Sequence, residues 1–150
     1  MMNPSQHCLE CGALWRDGIA CEQHYHQMLA WEFDDPRSGI VHHLTVLCYN
    51  LQHPSIYSPE GLAGAVQLLT TFLEQGITPP EMRRNIQPKV DSGKRTTKIT
   101  KRDIPAVYDS APSWTLTIQD AIGATSDGHA ERVTAWAHAV LTALKTAGVV

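Results

Sequence analysis

The stretch Ser38 to Pro54, SGIVHHLTVLCYNLQHP, decides how the rest of the chain has to be arranged. No Asp, Glu, Lys or Arg lies between Arg37 and Glu60, although charged residues make up 18% of the chain. A helix at the surface of a protein carries a charged face. This segment has none, so it is expected to be a helix covered on most sides. At about 100° per residue, Ile40, Leu44, Leu47 and Leu51 make one apolar stripe, and His42, Val46, Tyr49 and His53 fall on the opposite side. Ser38 suits the N-cap, and Pro54, which has no backbone N–H to offer, stops the helix.

The preceding residues, Ala20 to Phe33, also suit a helix, with Tyr25, Met28, Leu29 and Glu32 on one face. Asp34-Asp-Pro-Arg-Ser-Gly39 breaks the run. A connection this short makes the two helices antiparallel neighbours. Glu32 then lies beside the start of the central helix, near His42, and Cys21 lies beside its end, near His53. His42 and His53 are eleven residues apart, about 16 Å along a helix, too far for both to bind one ion.

All four cysteines and six of the eight histidines occur within the first 53 residues. Cys8 and Cys11 form a CxxCG knuckle, whose spacing turns both thiolates toward one ion while Gly12 takes the bend beside them. With Cys21 as a third sulfur and one histidine, the set is that of a closed tetrahedral zinc site. Two histidines compete for the fourth place. The Cys21-x-x-His24 spacing favours His24, and the hairpin geometry favours His53. Cys48, on the central helix away from the knuckle, is read as a buried thiol.

The rest of the chain adds helices. Ser58 as N-cap, Pro59 at the first helical position and Glu60 in the first turn open a helix that ends at Gly76, with Leu62, Val66, Leu69, Phe72 and Leu73 facing the core. Thr78-Pro-Pro-Glu81 starts a shorter one. From Arg83 to Arg102 the chain carries eight of its twelve basic residues and a single acid, Asp91. Residues 87–113 are read as a long basic loop, with a short hairpin through Thr96 to Ile99. Thr117 to Asp120 resembles a capping pattern. Ser126 is expected to cap a last helix running to about Ala147, with Val133, Trp136, Ala137, Val140, Leu141 and Leu144 in the core; solvated or packing roles suffice for His129 and His138. The expected fold is all-α: one helical domain over residues 1–150, an irregular bundle of four to five helices with an N-terminal zinc knuckle arm over residues 1–20.

At 150 residues, 43% of them hydrophobic, the chain can bury a core without obligatory staples. A net charge of -3 gives no global case for nucleic acid or an anionic membrane. No apolar run approaches the length of a membrane span, and the N-terminus has no signal-peptide pattern, so a cytoplasmic location is expected. Nucleic acid has one route, the charge run Arg83 to Arg102. No aromatic residue is interleaved there to stack on bases, and a solvated segment is the simpler reading.

Several motifs carry a family likeness. Cys8-Leu-Glu-Cys11-Gly12, Cys21, Met28 to Phe33 with Asp35-Pro36, Val41 to Val46, Tyr49 and Gln52-His53-Pro54 resemble an uncharacterised bacterial family, a domain of unknown function. Its members share a CxxCG knuckle, a further cysteine and a VHxLTVxxYxxQHP segment. Leu116 to Asp120 and Val133 to Ala137 are similar to its last part. The resemblance implies a helical fold and no particular reaction, and it favours His53 over His24. The metal set expected is therefore Cys8, Cys11, Cys21 and His53. The basic arm is longer and more charged than the family pattern leads one to expect.

Two functions from different classes are compatible with these residues. One is a zinc-stapled binding or regulatory module with an unidentified protein or small-molecule partner, its metal structural. The other is a small metal- or histidine-dependent enzyme using His42, Glu32 and Tyr49, where a carboxylate beside an imidazole supplies a general acid/base pair. The bland counterpart of that pair is a buried histidine satisfied by a carboxylate. No nucleophile motif, phosphate loop or dinucleotide fingerprint occurs.

Overall fold

The structure is a computed structural model that describes residues 6–15, 18–84 and 104–150. Among these the chain is all-α, with no strand beyond one antiparallel bridge pairing His7 with Leu14. Helix α1 spans Cys21–Asp34, α2 is the single turn Pro36–Gly39, and α3 spans His42–Gln52. A 3-10 turn at Pro54–Ile56 leads to α4, Pro59–Glu74. A short helical piece covers residues 79–84. Beyond residue 103 come a connection without regular structure, the turn α5, Ile118–Ala121, and the long α6, His129–Thr146. The expected hairpin at Thr96 to Ile99 and most of the basic loop lie outside the described residues, and residues 104–113 are neither helix nor strand.

Helix α3 sits at the centre, against α1, α4 and α6. Leu44, Thr45, Leu47, Cys48, Leu51 and Gln52 are buried on it, and His42 is its exposed residue, which accounts for the missing charges. Opposite stand Met28 of α1, Leu69 of α4, and Val133, Trp136, Val140 and Leu144 of α6, all fully buried. Gln52, the buried amide at the end of α3, is paired on both sides. Gln52 donates to the Leu116 carbonyl at 2.7 Å and accepts from the Trp136 indole at 3.2 Å, fastening α3 to both α6 and the approach to α5. Tyr108 donates to the Leu51 carbonyl, and the Ala106 amide to Tyr57 at 2.9 Å, so the irregular connection is tied to the end of α3.

The caps at Ser58 and Thr117 form as the residues dictate. The Ser58 hydroxyl accepts from the Gly61 amide, and Thr117 and Asp120 make a capping box. Two expected caps do not form. Asp35, not Ser38, caps the turn after α1, its carboxylate accepting from the Arg37 amide at 3.0 Å, because Pro36 starts its own helical turn. The central helix consequently begins later, at His42, and Ile40 is 68% exposed instead of continuing the buried stripe. At α6 the cap position is Gly128 with φ +75°, and Ser126 contributes its backbone carbonyl to the His129 amide.

Gly39 is required by a close approach. A Cβ there would stand 2.8 Å from the Glu32 carbonyl oxygen of α1, a backbone atom that moves only with its helix. Gly39→Ala is expected to destabilise the fold by roughly 1–3 kcal/mol, the range for overfilling a packed site. Denaturant unfolding of the variant checks this, an unchanged midpoint being the contrary result.

A buried cysteine–histidine cluster and a three-helix carboxylate site

The N-terminal arm folds back through the knuckle. The Cys8 amide donates to the Ala13 carbonyl at 2.8 Å, Gly12 to the Cys8 carbonyl at 3.0 Å, and Gly12 itself adopts φ +79°, which glycine takes without a steric penalty. Within this bend the Cys11 amide lies 3.4 Å from the Cys8 sulfur. Cys21 enters as the first residue of α1, its sulfur 3.7 Å from that of Cys11 and 3.3 Å from the Trp15 indole nitrogen, which donates to it. The Glu10 carboxylate accepts from the Ser55 amide at 3.1 Å and ties the arm to the far end of α3.

His53 closes the group from the C-cap of α3. One ligand atom from each of Cys8, Cys11, Cys21 and His53 fits within a span of 4.8 Å, and all four residues are buried. The His53 Nδ1 donates to the Tyr49 carbonyl at 2.6 Å, which leaves Nε2 as the ring atom open to coordination. Nε2 is buried with no hydrogen-bond partner. Pinning one imidazole nitrogen on a carbonyl so that the other coordinates is how metal-binding histidines are oriented. Tyr49 stacks on this ring at 4.2 Å, and Tyr25 stacks on Tyr49 at 4.0 Å.

The four groups perturb one another's protonation. Hydrogen bonding from Cys11 and Cys21 holds Cys8 far below the ordinary cysteine range, while Cys21 and Cys8 push Cys11 up. Burial disfavours charge on His53, yet the Cys21 and Cys8 sulfurs close to its ring, together with the Tyr49 carbonyl, raise it to about 10. Three sulfurs and an imidazole this close cannot all keep their ordinary protonation, and a divalent ion among them would remove the conflict. The cluster can therefore hold a metal ion. His24 lies outside it: its Nε2 accepts from the Gln119 amide of α5 at 3.1 Å, and partial burial lowers its pKa. Cys48 is fully buried, which pushes its thiol up.

At the other end of α3 the Glu32 carboxylate, its side chain 1% exposed, gathers three donors. His42 Nδ1 approaches Oε1 at 2.8 Å; Thr45 and His129 Nε2 approach Oε2 at 2.5 and 2.6 Å. Burial opposes ionisation of Glu32, but bonds from His129, Thr45 and His42 outweigh it and hold the carboxyl below its usual range. Tyr49 does not belong to this network, since it stacks between Tyr25 and His53, and burial raises its phenol to about 12. His129 does belong, and the role of mere packing or solvation expected for it is corrected here. Its position, four residues before Val133, put it on the buried stripe of α6, where a polar ring needs a partner.

Because the folded pKa of Glu32 is depressed, its contribution to stability is fully present above the unfolded value, near 4.5, and is lost as pH falls through the lower folded value. Glu32→Gln is expected to cost about 1–3 kcal/mol at neutral pH, the range for leaving buried partners poorly matched. The gap between variant and wild-type Tm is expected to shrink as pH is lowered below about 4. Thermal melts of both proteins across pH test this, and a gap that is constant or widens in acid contradicts it.

The model of a family described as "Family of unknown function (DUF5946)" matches residues 6–145. No curated protein and no solved structure matches.

Proposed function

The chain belongs to this family of unknown function, and we propose that it is a zinc-stapled helical binding module in which Cys8, Cys11, Cys21 and His53 hold one structural Zn²⁺. The observation that carries this reading is the His53 ring. Its Nε2 lies buried among three buried sulfurs without a partner, while Nδ1 is fixed by the Tyr49 carbonyl. Leaving such an atom empty would cost a buried hydrogen bond's worth of free energy, and coordination satisfies it. Cys₃His is a donor set of structural zinc, and four protein ligands leave no open position for water.

The ion would join three segments otherwise linked by the Glu10–Ser55 and Trp15–Cys21 hydrogen bonds. Among the described residues of the arm through Ala13, only Cys8, Cys11 and Ala13 are buried, and the metal would link the arm to the start of α1 and the end of α3. The enzyme reading loses its tyrosine to the metal end of the fold, and with it the arrangement of His42, Glu32 and Tyr49 around one reacting centre.

Purified protein is expected to carry one zinc per chain by elemental analysis, and chelation is expected to lower its Tm. Cys11→Ser should lose the metal, His53→Ala should bind it more weakly for want of its fourth ligand, and His24→Ala should keep it. Full retention in His53→Ala with loss in His24→Ala would reverse the ligand assignment. Cobalt substitution separates structural from catalytic use: a closed site gives a tetrahedral spectrum unmoved by added cyanide or azide, whereas an open one responds.

A further inference from the structure

Three thiolates and a neutral imidazole around Zn²⁺ sum to one negative charge, and Cys8, Cys11, Cys21 and His53 are all buried. A charge taken out of water is tolerated where N–H groups meet it. An N–H group reaches each of the three sulfurs. The Cys11 amide lies 3.4 Å from the Cys8 sulfur, the Ala13 amide bonds to the Cys11 sulfur, and the Trp15 indole N–H donates to the Cys21 sulfur at 3.3 Å.

The first two donors come with the bend of the knuckle, and the third does not. Cys8 is served by the amide three residues on, and Cys11 by the amide two residues on. The amides at the same separations after Cys21 are those of His24 and Gln23. Both bond instead to the Ala20 carbonyl, at 3.2 and 3.1 Å, because Cys21 opens α1 and the first turn of the helix uses them. The Cys21 sulfur therefore takes its N–H from a side chain of the arm. Trp15 is held for this task at both ends: its amide donates to the Gln6 carbonyl at 2.7 Å, and its ring packs, partly buried, against the core.

We propose that Trp15 is a positioning residue of the metal site, its indole N–H holding the Cys21 thiolate and so setting how tightly the ion is kept. This deepens the zinc reading and rests on it. The bond acts on the sulfur in two ways. It draws electron density from the thiolate, offsetting the charge that stays buried once the ion is bound. It also fixes the direction in which Cys21 faces the other donors, as hydrogen-bond partners behind metal ligands do. The donors at Cys8 and Cys11 are backbone amides, so Trp15 is the place where a side-chain substitution reaches the charge on a sulfur.

The test compares two variants of the full-length protein. Trp15→Phe keeps an aromatic ring and loses the N–H; Trp15→Gln loses the ring but carries an N–H as many bonds from Cβ as the indole nitrogen. Zinc affinity is measured by chelator competition, and cobalt-loaded samples give the sulfur-to-metal charge-transfer band. Trp15→Phe is expected to bind zinc about 10-fold more weakly, the low end for losing a group that orients a metal ligand. Its charge-transfer band should move to longer wavelength, because a thiolate without its donor gives up an electron more readily. Trp15→Gln should keep more of the affinity and a band nearer the wild-type position. Packing of the ring predicts the reverse order, with Gln the weaker of the two. That order, an unchanged affinity in Trp15→Phe, or an unmoved band overturns the proposal. A measurement on the wild type needs no variant to fold: loaded with a spin-active cadmium isotope, the protein should show coupling between the ion and one tryptophan indole proton, transmitted through the N–H···S bond. No coupled indole signal also counts against it. Wild-type protein that binds no zinc fails the metal reading and this one with it, whereas zinc-replete wild type with an indifferent Trp15→Phe fails this one alone.

Discussion

The arrangement of the helices depends on one buried carboxylate. Glu32 of α1 accepts from His42 and Thr45 of α3 and from His129 of α6. An ionised group taken out of water is tolerated only where its lone pairs are met, so the three helices cannot rotate or slide independently without stranding it. The apolar residues around it would accept several packings of similar area. The carboxylate accepts few, because its donors come from fixed positions one turn apart on α3 and at the first residue of α6. It selects the register in which Met28, Trp136 and Val133 then fill the interior.

Gly39 and Asp35 make that register reachable. Glu32 can face the start of α3 only if the chain reverses within a few residues, and the turn of Pro36–Gly39 does so by pressing its last residue against the Glu32 carbonyl. Asp35 caps the turn and also pairs with Arg37. That pair is exposed on the arginine side and adds little by itself; the cap fixes the direction in which the chain leaves α1. The same reversal aligns α1 and α3 along their length, which brings Cys21 beside His53 at the opposite end. One short connection therefore positions both the carboxylate site and the cysteine cluster.

Much of this was legible in the residues. An uncharged segment between two charged ones implied a central helix, and a short Pro/Gly connection implied an antiparallel partner; from those two steps came the pairing of Glu32 with His42 and of Cys21 with His53. The caps at Ser58 and Thr117 were legible because each side chain acts on an amide two or three residues away. What was not legible involved choices between local and distant partners. Ser38 and Asp35 were both chemically able to cap, and the winner was decided by Pro36 opening a separate turn. Tyr49 was near Thr45 in sequence, but stacking with Tyr25 and His53 drew it toward the cysteines. His129 is 97 residues from Glu32, and periodicity marked it as buried without saying by what it would be satisfied.

The two ends of α3 solve the same physical problem with different means. Each buries a histidine with one nitrogen committed to a protein acceptor: His53 to the Tyr49 carbonyl, His129 to Glu32. In both rings the second nitrogen is buried and unpaired. At His53 that ring stands with three sulfurs in a group that could hold a metal ion. At His129 the neighbour is the edge of Trp31, at 5.9 Å and 79°, and among the described residues it belongs to no group of donors that could hold an ion. The difference lies in the surroundings rather than in the imidazole: a histidine becomes a metal ligand where other soft donors converge on its lone pair, and a strut where a carboxylate holds it and hydrocarbon covers the rest.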